Sequence, residues 1–188
     1  MINLFGEEEF KPIIQRGKIL PYYLISNDGR IYSIRSNKFK KTTVRTRPKR
    51  SGKGNYVMDV STSIPIPRDL FEDYEYRTYG NQLTNKSTVE FPMRIHKAVM
   101  ETWRPIDEYP PDSLKDDWDK APESFKQWVR ETAYIDHIDD DPTNNHIDNL
   151  RWVTPRQNAN YVKAKEFPDS DRLKVLQENH KTGYLKWT

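Results

Sequence analysis

The segment from Tyr134 to Asn160, YIDHIDDDPTNNHIDNLRWVTPRQNAN, sets two histidines, five aspartates and five asparagines among residues that favour a core. Three of these side chains have the chemistry to act on a bond. A neutral imidazole such as that of His137 can take a proton from water near pH 7. The carboxylate of Asp136 and the side-chain oxygen of Asn158 are hard donors, suited to Mg²⁺ or a similar cation. Base and cation together can hydrolyse a phosphodiester, which needs an activated water, charge against the phosphate and help for the departing oxygen. An Asp-His pair standing alone is more often an exposed turn, because short motifs recur by chance. The surrounding pattern has to carry the reading.

Tyr134 to Ile138 reads as a short strand, and residues 139–145 as a turn-rich loop whose Asp and Asn side chains can bond their own backbone. Leu150 to Val153 reads as a second strand, with Leu150 and Trp152 in the core and Arg151 pointing away from them as a candidate phosphate contact. Thr154 then stands as a helix N-cap, Pro155 at the first helical position and Gln157 three residues after the cap, the signature of a capping box. The order is strand, loop, strand, helix, and Asn158 falls on the first turn of that helix, able to face back towards the first strand. Ideal alternation puts Asp136 and His137 on opposite faces, so both serve one site only where the strand ends or distorts. The remaining histidines take blander readings: His146 in the loop, His96 packing on a helix face and His180 in the tail.

The run DHIDDDPTNNHIDNLRWVTPRQN resembles the H-N-H nuclease motif in the form found in phage homing endonucleases, roughly D-H-x-D-G-x-x-x-N-N-x-x-x-N-L-R-W-V-T-x-x-x-N. RIHKAVMETW resembles the helix that commonly precedes the motif, and YYLISNDGRIYSI resembles a small module often found at the N-terminus of these enzymes. About a third of the chain lies in strongly matching residues. The resemblance implies an α+β fold, with a small N-terminal β-hairpin module followed by a ββα-metal (His-Me finger) nuclease module. It implies that Asp136 and Asn158 hold a single divalent metal, Mg²⁺ with Mn²⁺ able to substitute. It further implies that His137 activates water and that Asn149 orients the histidine or the loop through hydrogen bonds. Asn158 stands where many H-N-H proteins have histidine, as in the phage subgroup. Asp140 departs from the usual glycine; aspartate tolerates a left-handed turn, although its charge beside Asp139 and Asp141 repels phosphate locally.

Upstream, Tyr22 to Ile25 and Arg30 to Ile34 are β-prone runs, and Asp28-Gly29 between them supplies hairpin turn chemistry. No acidic residue occurs between Gly29 and Met58, while Arg30, Arg35, Lys38, Lys40, Lys41, Arg45, Arg47, Lys49, Arg50 and Lys53 do. This uncompensated run, interleaved with β-branched and aromatic residues, is read as contacting double-stranded DNA. NYVMDVS reads as a returning strand, and the acidic, aromatic run PIPRDLFEDYEYRTYGNQ, residues 65–82, as a loop or short helix. Residues 93–105 carry Ile95, Val99 and Trp103 at helical spacing, ending at Pro105. Ala121 to Thr132 is expected to be helical with Phe125, Trp128 and Val129 on one face, and the tail to hold a helix from Ser170 to Asn179. The organisation expected is a basic β-rich DNA-contacting module over 1–62 and a connecting segment over 63–92. A nuclease module follows over 93–165, with an acidic insertion at about 105–132, and a tail over 166–188.

Bulk properties set limits. The net charge of the 188 residues is +3 and the chain has no cysteine, so disulfides and zinc-cysteine sites are excluded. No stretch approaches the roughly 20 apolar residues of a membrane-spanning helix. The start, MINLFGEEEFKPII, lacks the basic and apolar regions of a secretory signal, which points to the cytoplasm, a host's if the gene is a phage's. The expectation is a metal-dependent DNA endonuclease, a monomer or weak dimer that nicks one strand per site. The rivals are a non-catalytic DNA-binding regulator or packaging accessory, and a structural protein engaging a partner through the acidic insertion.

Overall fold

The structure is a computed structural model that describes residues 2–5, 8–49, 53–71 and 87–159. Its first five strands form an antiparallel meander: β1 (Ile2–Phe5), β2 (Glu8–Gln15), β3 (Lys18–Ser26), β4 (Ile31–Ser33) and β5 (Lys38–Phe39). A second sheet holds β6 (Thr43–Pro48), β7 (Asn55–Pro67) and β8 (Thr88–Arg94), with β7 in the middle. Helix α1 (Ile95–Trp103) follows β8 directly, and α2 (Glu123–Thr132) precedes a two-stranded ribbon, β9 (Tyr134–His137) and β10 (Leu150–Val153). A third helix, α3, begins at residue 155. The class is α+β. Arg50 and the tail expected to be helical lie outside the described residues.

One hydrophobic core joins these layers, and α1 is its centre. Ile95, Val99 and Met100 of α1 share a cluster with Ile25 and Ile31 of the meander, Ile64 and Met93 of the second sheet, and Leu150 of β10. The hairpin turn expected at Asp28-Gly29 is present, with Gly29 at φ +89°. It is pressed onto α1 so closely that a Cβ on Gly29 would lie 2.5 Å from Ile95 Cγ2. On its other side, Ile147 N–H donates to the Asn27 carbonyl at 2.8 Å, tying the meander to the segment before β10. Gly29→Ala is therefore expected to cost about 1–3 kcal/mol, from overpacking plus a left-handed backbone, and to lower the melting temperature measurably.

Residues 8–15 form a further strand whose Phe10 and Ile13 are buried in two different clusters, Phe10 with Leu24 and Tyr32 and Ile13 in the main core. Two expectations need correction. Residues 65–67, expected in a loop or short helix, belong to β7, which pairs with β8. Their prolines are tolerated because Ser63↔Pro92, Pro65↔Glu90 and Pro67↔Thr88 are alternate pairs of one set, while the bond from Arg68 N to Ser87 O places the ladder donors in the other set. In α2 only Val129 of the expected apolar face is buried; Phe125 and Trp128 are 38% and 50% exposed. The capping box did form: Thr154 N–H donates to Gln157 Oε1 at 2.8 Å, and Gln157 N–H to Thr154 Oγ1 at 3.3 Å.

Candidate active site

The ββ ribbon brings the centre of the opening motif together. β9 and β10 pair so that Asp136 faces Arg151 and His137 faces Leu150. The strand stops at His137, whose carbonyl accepts from Asp140 N–H at 3.0 Å, and Asp140 sits at φ +67°, the left-handed turn its position requires. Asp136 and His137 both lie inside the strand, the first buried and the second partly exposed, as alternation predicts.

His137 Nε2 lies 3.4 Å from Asn145 Oδ1, and the Asn145 amide donates its own N–H to the Thr143 carbonyl at 3.0 Å, which fixes its oxygen towards the ring. With Nε2–H directed at Asn145, Nδ1 is the nitrogen left to accept a proton. Asn149 does not touch the histidine. Its amide donates to Asp139 Oδ1 at 2.8 Å and to the Asn144 carbonyl at 2.9 Å, and its oxygen accepts from Asp139 N–H at 3.1 Å. Of the two roles expected for it, shaping the loop is the one these bonds serve. The Asn144 amide, first, then backbone and Asn149 donors hold the Asp139 carboxyl below the usual carboxylate range, and the Thr143 hydroxyl does the same for Asp141. The folded loop keeps these two carboxylates ionised to lower pH than they would otherwise stay.

Asp136 is buried, 8% exposed, and its Oδ2 accepts from Arg151 Nε at 3.0 Å. Arg151, expected on phosphate, is instead largely buried against this carboxylate, because the register of the ribbon sets the two face to face. Asn158 lies in α3, its N–H bonded to the Thr154 carbonyl at 3.1 Å, and its side chain makes no hydrogen bond among the described residues. A carboxylate and an amide oxygen are the kinds of donor that Mg²⁺ accepts, and among the described residues no group of three or more His, Asp or Glu side chains stands ready to hold a metal.

Two further residues at the site were not assigned by sequence. Asn145 carried no signal separating it from its neighbour Asn144. His96, read as a packing residue, has its ring 5.4 Å from that of His137 at 83°. Burial, with the nearby His137 as second cause, pushes the His96 imidazole down to about 4. Below pH 6.5 an unfolded chain takes a proton on His96 that the folded protein refuses until about pH 4, so this residue makes stability fall as pH drops through that window. Glu101, which burial holds above its usual value, works in the opposite sense. Melting curves from pH 6.5 to 4 isolate the histidine: His96→Phe is expected to lose less stability than wild type over that range.

The basic run divides in two. Lys38, Lys41, Arg47, Lys49 and Lys53 are exposed and Lys40 half-exposed, with no acidic partner among the described residues. Arg45 is committed: its Nε and a terminal nitrogen each lie 2.6 Å from an oxygen of Asp59, which is 3% exposed and held low by that fork. The compensating acid lies outside the run in sequence but directly opposite Arg45 in the ladder between β6 and β7. Arg30 pairs with Asp28 at 3.0 Å, and Arg35 lies 3.9 Å above the Tyr22 ring. A cleft of about 220 Å³ between the meander and the motif loop is lined by Arg30, Phe39, Lys40, Thr42, Thr143 and Asn145, so two of the run's cations share a surface with that loop.

Residues 129–160 match the profile of the family described as HNH endonuclease. This segment carries the HNH pattern. The match begins in α2 and takes in both strands of the ribbon, the loop and the start of α3. A curated relative named uncharacterized HNH endonuclease L245, from Acanthamoeba polyphaga mimivirus, is 27% identical over 144 residues, 76% of this chain and 28% of its own length. The chain thus spans little more than a quarter of that relative. A solved structure described as DNA binding and cleavage by the HNH homing endonuclease I-HmuI aligns with a TM-score of 0.42 and 19% identity, covering 90% of this chain and 66% of that one.

Proposed function

We propose that this protein is a divalent-metal-dependent DNA endonuclease of homing type, phage-related, that nicks one strand at each site. The observation that carries the reading is the placement of His137: last residue of β9, next to the oxygen ligand Asp136, with Nε2 turned to Asn145 and Nδ1 left for a water proton. Asp136 and Asn158 would hold the cation. When bound, it supplies positive charge against the scissile phosphate and the departing oxygen. Asn149 keeps the intervening loop in shape. Lys38, Lys40, Lys41, Arg47 and Lys49 lie along the duplex.

Incubation with supercoiled plasmid in Mg²⁺ or Mn²⁺, beside an EDTA control, tests the reading. Open-circle product that EDTA abolishes supports it, and linear product would add a paired site. A second reading, a DNA-binding module that no longer cleaves, is favoured by one observation, the burial of Asp136 against Arg151. Salt-sensitive binding without cleavage of DNA carrying the target site would decide for it. The cations give a separate prediction. Replacing Lys40, Lys41 and Arg47 with glutamine is expected to flatten the slope of log affinity against log salt by about 0.9 for each phosphate no longer neutralised. Arg45→Gln should instead lower thermal stability with little change in slope, because its guanidinium serves Asp59.

A further inference from the structure

His96 stands on the first turn of α1, between Ile95, buried under the Gly29 turn, and the ribbon. Its Nδ1 is buried and has no hydrogen-bond partner among the described residues. A polar atom in that state costs stability, and a leucine or phenylalanine would fill the space without the cost. Packing alone therefore does not account for this imidazole. Its aromatic neighbour is His137, edge to face. The charged groups acting on it are Asp59, Arg94, Lys97 and His137, and burial outweighs them, so the ring is neutral near pH 7 and adds no charge beside the base.

His137 needs a second restraint. Its bond to Asn145 is long at 3.4 Å and grips one vertex of the ring, about which an imidazole can still pivot. A flat neighbour at right angles blocks that pivot. We infer that His96 is a positioning residue: its ring fixes the plane of the His137 imidazole, so that Nε2 stays on Asn145 and Nδ1 is presented to water. The kinetic part of this inference rests on the proposed nuclease reading, and the structural part does not.

The test uses the full chain with His96→Ala and His96→Phe, read by kcat and KM for plasmid nicking. The His137 ring signals are followed in parallel by NMR of histidine-labelled protein without DNA or metal. His96→Ala is expected to lower kcat by about tenfold or more, with KM and DNA affinity unchanged. It should also broaden or double the His137 ring signals. His96→Phe, which restores a flat ring, is expected to recover kcat to within about threefold of wild type, with one sharp set of signals. Wild-type kcat and unaltered signals in His96→Ala would overturn the inference. So would a folded His96→Phe as impaired as the alanine variant. If His96→Ala does not fold, His96→Leu takes its place, filling the volume without a flat ring. If the wild type cleaves nothing, the nuclease reading fails and the ring signals decide the inference alone: disorder upholds it, and an unchanged spectrum sinks it.

Discussion

His137→Ala is expected to lower the single-turnover nicking rate by about 10²–10⁴-fold, the usual worth of a general base. DNA affinity and its salt dependence should stay as in wild type, since the unpaired cations lie on and around β5 and β6 rather than on the ribbon. The fold should survive as well. His137 is partly exposed at a strand end, and the bonds that close the loop run through Asn149, Asp139 and backbone atoms. A normal rate from this variant would remove His137 from the mechanism. Rate and affinity measured on the same preparation separate a lost base from a lost binding surface.

The second large effect concerns Asp136, and the structure dictates how it must be measured. Asp136→Ala removes the proposed oxygen ligand, but it also strips a largely buried guanidinium of the carboxylate facing it. Breaking such a pair from one side costs up to about 3 kcal/mol. For a chain of this length that is roughly 6–12 °C in melting temperature. Lost activity in the alanine variant would therefore mix chemistry with stability. Asp136→Asn keeps an acceptor for Arg151 while discarding the ligand charge. Both variants are expected to lose metal-supported cleavage, and the alanine variant alone to melt early. Adding Arg151→Met to Asp136→Ala should restore the melting temperature and not the activity. Cleavage by Asp136→Asn at the wild-type rate would show that the carboxylate charge is not needed, and metal-supported cleavage by Asp136→Ala, which leaves no oxygen there, would exclude Asp136 as the ligand.

The Arg151 pairing also bears on cation loading. A cation approaching Asp136 meets a guanidinium already on one oxygen, so its affinity reflects competition as well as ligand number. Titration of the metal by calorimetry on the Asp136→Asn protein would show the loss of ligand charge without cleavage entering the measurement.

What the sequence determined by itself is what lies within a few residues. The turn at Asp28-Gly29, the left-handed position of Asp140, the capping box of Thr154 and Gln157, and the strand-loop-strand-helix order were all legible, because turns and caps are settled by chemistry between near neighbours. The tertiary structure decided what those local pieces are set against. Arg45 and Arg151 looked like free cations, yet each faces a carboxylate fourteen or fifteen residues away, across a ladder whose register no local signal fixes. Phe125 and Trp128 share a helix face with Val129 but stay 38% and 50% exposed, because no layer of the described residues covers them. Asn145 rather than Asn149 meets His137 because the loop's own bonds consume Asn149 first. His96 meets His137 only because one core docks α1 against the meander, the second sheet and the ribbon at once. Side-chain type travels with the sequence; which side chains meet depends on how the layers pack.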